Sequence, residues 1–275
     1  MSRAKAFAKL NLGLVVGAPR DDGKHEIVTV LQRIALHDEI TLEPAAELAV
    51  EGFLEDTIVR GALELLAKAA RAEPRWGVHI EKRIPVAAGL GGGSADAAAA
   101  LRLANADLPT PLEPSALHGV AARVGADVPF FLRDHACVAS GDGTELEAIS
   151  LPTDYDVLLV VPYGEVKEST GVVYAGFDAR DGSSGFAERA ASLRTALSAI
   201  ETAHDLAKLP SSDLASSSIT RDLEAAGAFR ADVSGAGPTV YGLFDLGEAA
   251  PHAAQRFDRI GRTYVTRPVE PGRSP

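Results

Sequence analysis

The chain holds one cysteine, Cys137, in 275 residues, so no intrachain disulfide can form, and within Ala136–Ala139 it reads as a small apolar residue of a strand. Basic side chains are also scarce. Lysine and arginine number 27 against 38 aspartate and glutamate, a net charge of −11. That balance excludes a general nucleic-acid or anionic-membrane binder, because both need a basic face. A small anionic ligand stays compatible where a few cations gather locally. No apolar run approaches the ~18 residues of a membrane span, and a patterned segment begins within a few residues of Met1 without a signal-peptide core. A cytoplasmic protein is expected. Apolar content of 46% and charged content of 24% suit a soluble globular chain of one large or two modest domains.

A further absence narrows the chemistry. No lysine lies between Arg83 and Lys167, so the glycine-rich stretch IPVAAGLGGGSADAAAAL, from Ile84 to Leu101, is not a Walker A loop. Nor is it the dinucleotide fingerprint, whose sixth position is glycine where this chain has Ser94. Four of the five residues from Gly89 to Gly93 are glycine, Val78 to Ile84 is strand-like, and the alanine-rich run after Ser94 favours helix up to Asn105. The order is strand, glycine loop, helix. Glycines let backbone approach a ligand and adopt positive φ, and the N–H groups of a helix start favour an anion. A phosphate cradle follows, although a plain surface turn would also join strand to helix.

From Ala8 to Val16 the pattern alternates. Ala8, Leu10, Leu12, Leu14 and Val16 are expected on one face, with Lys9, Asn11 and Gly13 on the other. A solvated lysine is one reading of that second face; the asparagine beside it points to a polar site. Further strands are expected at Ile27–Leu36, Ile40–Glu43 and Leu48–Val50. Asp56 is placed to cap a helix from Thr57 to about Ala72, with Ile58, Ala62, Leu65, Leu66 and Ala69 on its buried stripe. Pro114 suits the first turn of a helix reaching Val124. Asp127 follows in Gly125–Leu132, where it could equally cap or turn the chain. The character changes near Leu151–Pro152. Strands are expected at Val157–Val161, Ala231–Val233, Val240–Phe244 and Thr263–Val269, and helices at Thr170–Phe177, Phe186–Ile200 and Glu248–Ile260. A second glycine turn, Ser234–Thr239 (SGAGPT), lies between two of these strands, where it could pack on the first glycine loop or shape the mouth of a cleft.

AKLNLGL at the start, the glycine loop, GADVPFF after it and SGAGPTVYGLF near the end stand in an order that resembles the GHMP kinases over nearly the whole chain. The spelling is nearest to members that phosphorylate the 2-hydroxyl of a cytidyl-methylerythritol diphosphate. The resemblance implies an α+β fold of two domains: residues 1–150 like ribosomal protein S5 domain 2 and residues 151–275 ferredoxin-like, with the site between them. It implies ATP and Mg²⁺ as cofactors and a monomer or homodimer.

By that resemblance, Lys9 and Asp127 are the catalytic pair, Asp127 taking or orienting the hydroxyl proton while Lys9 keeps it ionised and stabilises the transferred group. ATP would be held by Pro85, Ala87, Gly89, Leu90, Gly91, Gly92, Gly93, Ser94 and Ala95, and Ser94 would help place Mg²⁺. Asn11, His25, Thr170 and Tyr174 would hold the substrate, with His25 on cytosine and Tyr174 packed against its ring. Three positions depart from the family's usual spelling. Lys24 stands where a tyrosine is usual, Thr57 where an asparagine lies near the ATP base, and Ser212-Asp213-Leu214-Ala215 lacks an asparagine. A GHMP kinase for another alcohol (mevalonate-, homoserine- or sugar-like) and a non-catalytic nucleotide-binding protein are the alternative readings.

Overall fold

The computed structural model describes residues 1–53, 58–164, 170–270 and 272; Asp56 and Thr57 lie outside them. The chain opens with a long antiparallel hairpin, β1 (Ser2–Pro19) and β2 (His25–Pro44). Then come β3 (Ala49–Glu51), α1 (Ile58–Ala70), β4 (Trp76–Glu81), α2 (Gly92–Asp107), α3 (Pro114–Val124), α4 (Val128–Phe131), β5 (Ala136–Gly141) and β6 (Glu145–Ile149). The second half runs β7 (Tyr155–Pro162), α5 (Thr170–Ala179), α6 (Phe186–Ser198), a 3₁₀ turn at Ala203–Lys208, α7 (Ile219–Ala225), β8 (Arg230–Val233), β9 (Val240–Asp245), α8 (Ala249–Phe257) and β10 (Gly261–Thr266).

Two sheets result. The first has the order β3-β4-β2-β5-β6 with β1 also on β2; the second, wholly antiparallel, is β10-β7-β9-β8. Expected as two strands, β2 is one, because its pairing to β1 carries on through His37 and Asp38 opposite Phe7 and Ala6. β6 was not expected. It is a short edge strand, half exposed, with too brief an apolar alternation to stand out.

Helices α1 to α4 cover one face of the first sheet, over Leu31, Ile40, Val78, Ile80 and Cys137. The buried stripe of α1 is Val59, Ala62, Leu63, Leu66 and Ala67, rotated from the expected one, and Ile58 is exposed. The cause is that α1 packs on α2 and α3 as well as towards the sheet. Helix α2 is enclosed by β1, β2, α1 and α4, and its alanines let those neighbours approach closely. On the other face of the first sheet, Leu10, Leu12, Val30 and Ile34 meet Val157, Leu159, Tyr241 and Leu243 of the second sheet in one core. The outer face of the second sheet is covered by α7 and α8. Among the described residues no helix is long and apolar enough to cross a membrane.

The alternation expected for β1 holds only as far as Leu12. A register shift between Asn11 and Gly13 inserts an extra residue, and beyond such a bulge side chains change face. Leu14 and Val16 therefore leave the Leu10–Leu12 core and pack with Phe177 and Leu214. Three successive carbonyls at the bulge accept from side chains. Tyr241 Oη donates to Asn11 O (3.2 Å), Arg230 Nη2 to Leu12 O (2.7 Å) and Thr29 Oγ1 to Gly13 O (2.8 Å).

Candidate active site

A cavity of about 910 Å³ opens where β1, the glycine loop, the segment before α4, and α5 converge. Helix α2 begins at Gly92, two residues before Ser94, so the last glycines form its first turn. The N–H groups of Gly92, Gly93 and Ser94 precede the first intrahelical donor, Ala95 N, and these three residues line the cavity. Ala95 does not join them. Its N–H is bonded to Gly91 O at 2.9 Å and its side chain is in the core, off the cavity, so the run of N–H groups left unbonded by the helix ends at Ser94. Pro85, Ala87, Gly89, Leu90 and Gly91 also line the cavity.

Positive φ falls on Gly89 (+80°) and Gly91 (+72°). A Cβ on Gly89 would stand 2.5 Å from Ser234 O and 2.8 Å from Gly237 O; one on Gly91 would stand 2.8 Å from Phe131 Cζ. Both positions therefore need glycine for space as well as torsion. Ser234 Oγ also donates to Gly89 O (3.0 Å) and Thr239 N to Ala88 O (3.3 Å), so the second glycine turn packs directly on the first.

Lys9 and Asn11 are no solvated face; their residues are 5% and 6% exposed. Lys9 N donates to Leu90 O (2.9 Å), which anchors β1 to the glycine loop. Its ammonium donates to Asn11 Oδ1 (2.5 Å) and lies 3.6 Å from Asp127 Oδ2. Asp127 precedes α4 but makes no capping hydrogen bond, so its half-exposed carboxylate faces the cavity free of that duty.

Across the opening, Tyr174 of α5 lies over His25 with ring centroids 4.4 Å apart, and His25 Nε2 meets Asp178 Oδ1 at 2.9 Å. Burial, reinforced by the charge of Asp127, pushes the Tyr174 phenol up to about 12, so it stays a neutral hydroxyl. Thr170, at the start of α5, is exposed at the cavity rim. Lys24 Nζ is bonded to Asp142 Oδ2 (2.5 Å). Burial opposes ionisation of Asp142, but hydrogen bonds from Lys24 and Thr144 outweigh it and hold the carboxyl at about 2. Ser212, at the asparagine-lacking segment, donates to Gly235 O (3.1 Å).

One cluster at the cavity escaped the sequence reading. Lys82 Nζ donates to Asp38 Oδ2 (2.5 Å) and Asp96 Oδ2 (2.6 Å), while Asp38 Oδ1 accepts from the N–H groups of Arg83 and Ile84. Asp96 is 1% exposed and its Oδ1 has no partner. Burial, then the Asp38 charge, push Asp96 up to about 8 despite Lys82. A signal existed: Asp96 is the single charged side chain between Ile84 and Leu101.

The arrangement is a helix start with unbonded N–H groups facing a lysine–carboxylate pair, with a polar and aromatic wall opposite. Comparison with known proteins shows the family. The GHMP kinases N terminal domain model matches residues 57–135, and the GHMP kinases C terminal model matches residues 192–262. A 4-diphosphocytidyl-2-C-methyl-D-erythritol kinase of Pelotomaculum thermopropionicum is 37% identical, the match covering 98% of each chain. One of that name from Novosphingobium aromaticivorans is also 37% identical over 90% of this chain and 85% of its own. Among solved structures, a 4-(cytidine 5'-diphospho)-2C-methyl-D-erythritol kinase superposes with a TM-score of 0.79 at 28% identity, covering 98% of this chain and 100% of that one. A mevalonate kinase, at 14% identity and a TM-score of 0.78 over 98% of this chain and 100% of its own, shares the fold.

Proposed function

Because the chain belongs to the GHMP kinases, in the group named 4-diphosphocytidyl-2-C-methyl-D-erythritol kinase, we propose that it phosphorylates that alcohol's 2-hydroxyl with ATP, a step of non-mevalonate isoprenoid precursor synthesis. The observation that carries this reading is the Lys9–Asp127 pair, 3.6 Å apart on the wall of the cavity that the glycine loop also lines. Phosphoryl transfer asks mainly for positioning and charge stabilisation. The free N–H groups of Gly92, Gly93 and Ser94 hold ATP phosphates at the positive end of α2. Asp127 accepts or orients the proton of the attacking hydroxyl, and the Lys9 ammonium stabilises charge on the group in transit. Asn11, Thr170, His25 and Tyr174 position the acceptor, His25 and Tyr174 at its base.

Among the described residues there is no cluster of three His, Cys, Asp or Glu side chains able to hold a metal. The Ser94 hydroxyl, at the start of α2 on the cavity wall, would be the protein oxygen placed to hold a Mg²⁺ ion that accompanies the nucleotide. Such an ion would neutralise phosphate charge. The division into domains at about residue 150 is likewise proposed, between β6 of the first sheet and β7 of the second.

The test is turnover of the cytidyl alcohol with Mg·ATP by Lys9→Ala and Asp127→Asn. General-base contributions run ~10²–10⁴-fold, so each variant is expected to lose turnover on that scale while retaining nucleotide affinity. Near-normal turnover by Asp127→Asn, with chemistry shown to be rate-limiting, overturns the assignment.

A further inference from the structure

Thr29 is 2% exposed on β2, and its hydroxyl makes two hydrogen bonds of fixed sense. A carbonyl can only accept, so the proton of Thr29 goes to Gly13 O at 2.8 Å. Its oxygen must then accept from Asn11, whose Nδ2 lies 2.9 Å away. The two ends of an amide have nearly the same shape and opposite chemistry. With its nitrogen committed to Thr29, Asn11 turns its oxygen to the Lys9 ammonium at 2.5 Å. The reverse orientation would bring NH₂ against NH₃⁺, donor against donor, in a site where both side chains are buried. The bulge in β1 makes the arrangement possible, since Gly13 O accepts from a side chain there.

We propose that Thr29 is a positioning residue that fixes the Asn11 amide so that Asn11 holds Lys9 in place beside Asp127. The inference rests on reading Lys9 and Asp127 as the reacting pair. Thr29 acts through Asn11 and touches no reacting atom.

Thr29→Val keeps the shape and removes the hydroxyl. Its expected effect is a fall in kcat of roughly 10-fold to 100-fold, the size of one hydrogen bond to a charged group, with the KM for ATP changed less than about 2-fold. Thr29→Ser restores donor and acceptor and should recover most of the loss. The decisive measurement repeats Thr29→Val in an Asn11→Ala background, where the hydroxyl has nothing left to orient. There the further loss should be under about 2-fold, because the two substitutions remove one interaction. An equal loss in both backgrounds, or no loss in either, overturns the proposal. If the valine variant does not fold, Thr29→Ala in the same two backgrounds reads the same coupling. Lys9→Ala and Asp127→Asn run alongside: normal turnover in those sinks the underlying reading, whereas loss in those with none in Thr29→Val sinks this inference alone.

Discussion

Gly235 closes over Asn11: a Cβ built on it would stand 3.0 Å from Asn11 Oδ1 and 3.6 Å from Lys9 Nζ, at a φ of +61°. Gly235→Ala is therefore expected to push Asn11 or Lys9 aside as well as strain the backbone. Gly227→Ala is the matched control, with φ +105° and nothing within 4 Å of the added carbon. Both should lower the thermal midpoint, and only Gly235→Ala should also lower kcat. Equal turnover in the two variants would show that the second glycine turn does not shape the site.

The glycines of the loop divide the work. Gly91 supplies positive φ, while Gly92 is the first helical residue and its added Cβ would lie 3.1 Å from Ile84 Cγ2 and 3.4 Å from Lys82 Nζ. Gly92→Val thus tests crowding of the helix start against Ile84 and Lys82, where the proposed ATP phosphates would lie, without demanding a forbidden torsion. The expected result is a folded protein with strongly weakened ATP binding by titration calorimetry. Unchanged nucleotide affinity in the folded variant removes this loop from the site.

At the acceptor end, Lys24 is bonded to Asp142 where the family usually has an aromatic ring. An aromatic face on a base is worth about 1–3 kcal/mol, so Lys24→Tyr should lower the KM for the cytidyl alcohol or reduce its dependence on salt. His25→Ala should impair this acceptor and spare ATP. Competition at equal concentrations against mevalonate, homoserine and sugars checks the choice. Turnover of one of those with the cytidyl compound untouched would leave a GHMP kinase of different specificity.

Asp96 predicts a pH dependence. Its carboxyl, raised to about 8 by burial and by Asp38, holds its proton in the folded protein at pH values where the unfolded chain has lost it. Such a group contributes its full stability below the unfolded value near ~4, and that contribution is lost as pH rises through about 8. Asp96→Asn cannot ionise. Its thermal midpoint should improve relative to the parent as pH climbs from 5 to 9, and a pH-independent difference would show that Asp96 does not titrate in that window.

Much of this was legible in order along the chain. Helix α3 runs from Pro114 to Val124 as Pro114 and its spacing suggest, and the glycine loop stands between a strand and α2. The bulge had one signal, Gly13 inside the strand pattern, but the alternation of apolar residues runs straight across it. Its cause lies in Tyr241 and Arg230, over 200 positions away, which take up the carbonyls it presents. The Lys82 cluster was hidden for the same reason, since Asp38 enters from a strand 44 residues earlier. Ala95 does not face the cavity because the helix starts earlier than its alanines do, so its N–H is already bonded to Gly91 O.

The β1–β2 hairpin has one more consequence. It carries Lys9, Asn11, Lys24, His25 and Thr29 within its two strands and the turn joining them, whereas the glycine loop comes from a separate stretch of chain after β4. On the proposed reading, the acceptor contacts come from this hairpin and from Thr170 and Tyr174 of α5, and the nucleotide contacts from the glycine loop. The hairpin and the loop are joined by Lys9 N to Leu90 O, and the second glycine turn packs on the loop. On that reading, substitutions in the turn at Arg20–Lys24 are expected to change which alcohol is accepted and to leave nucleotide affinity unchanged.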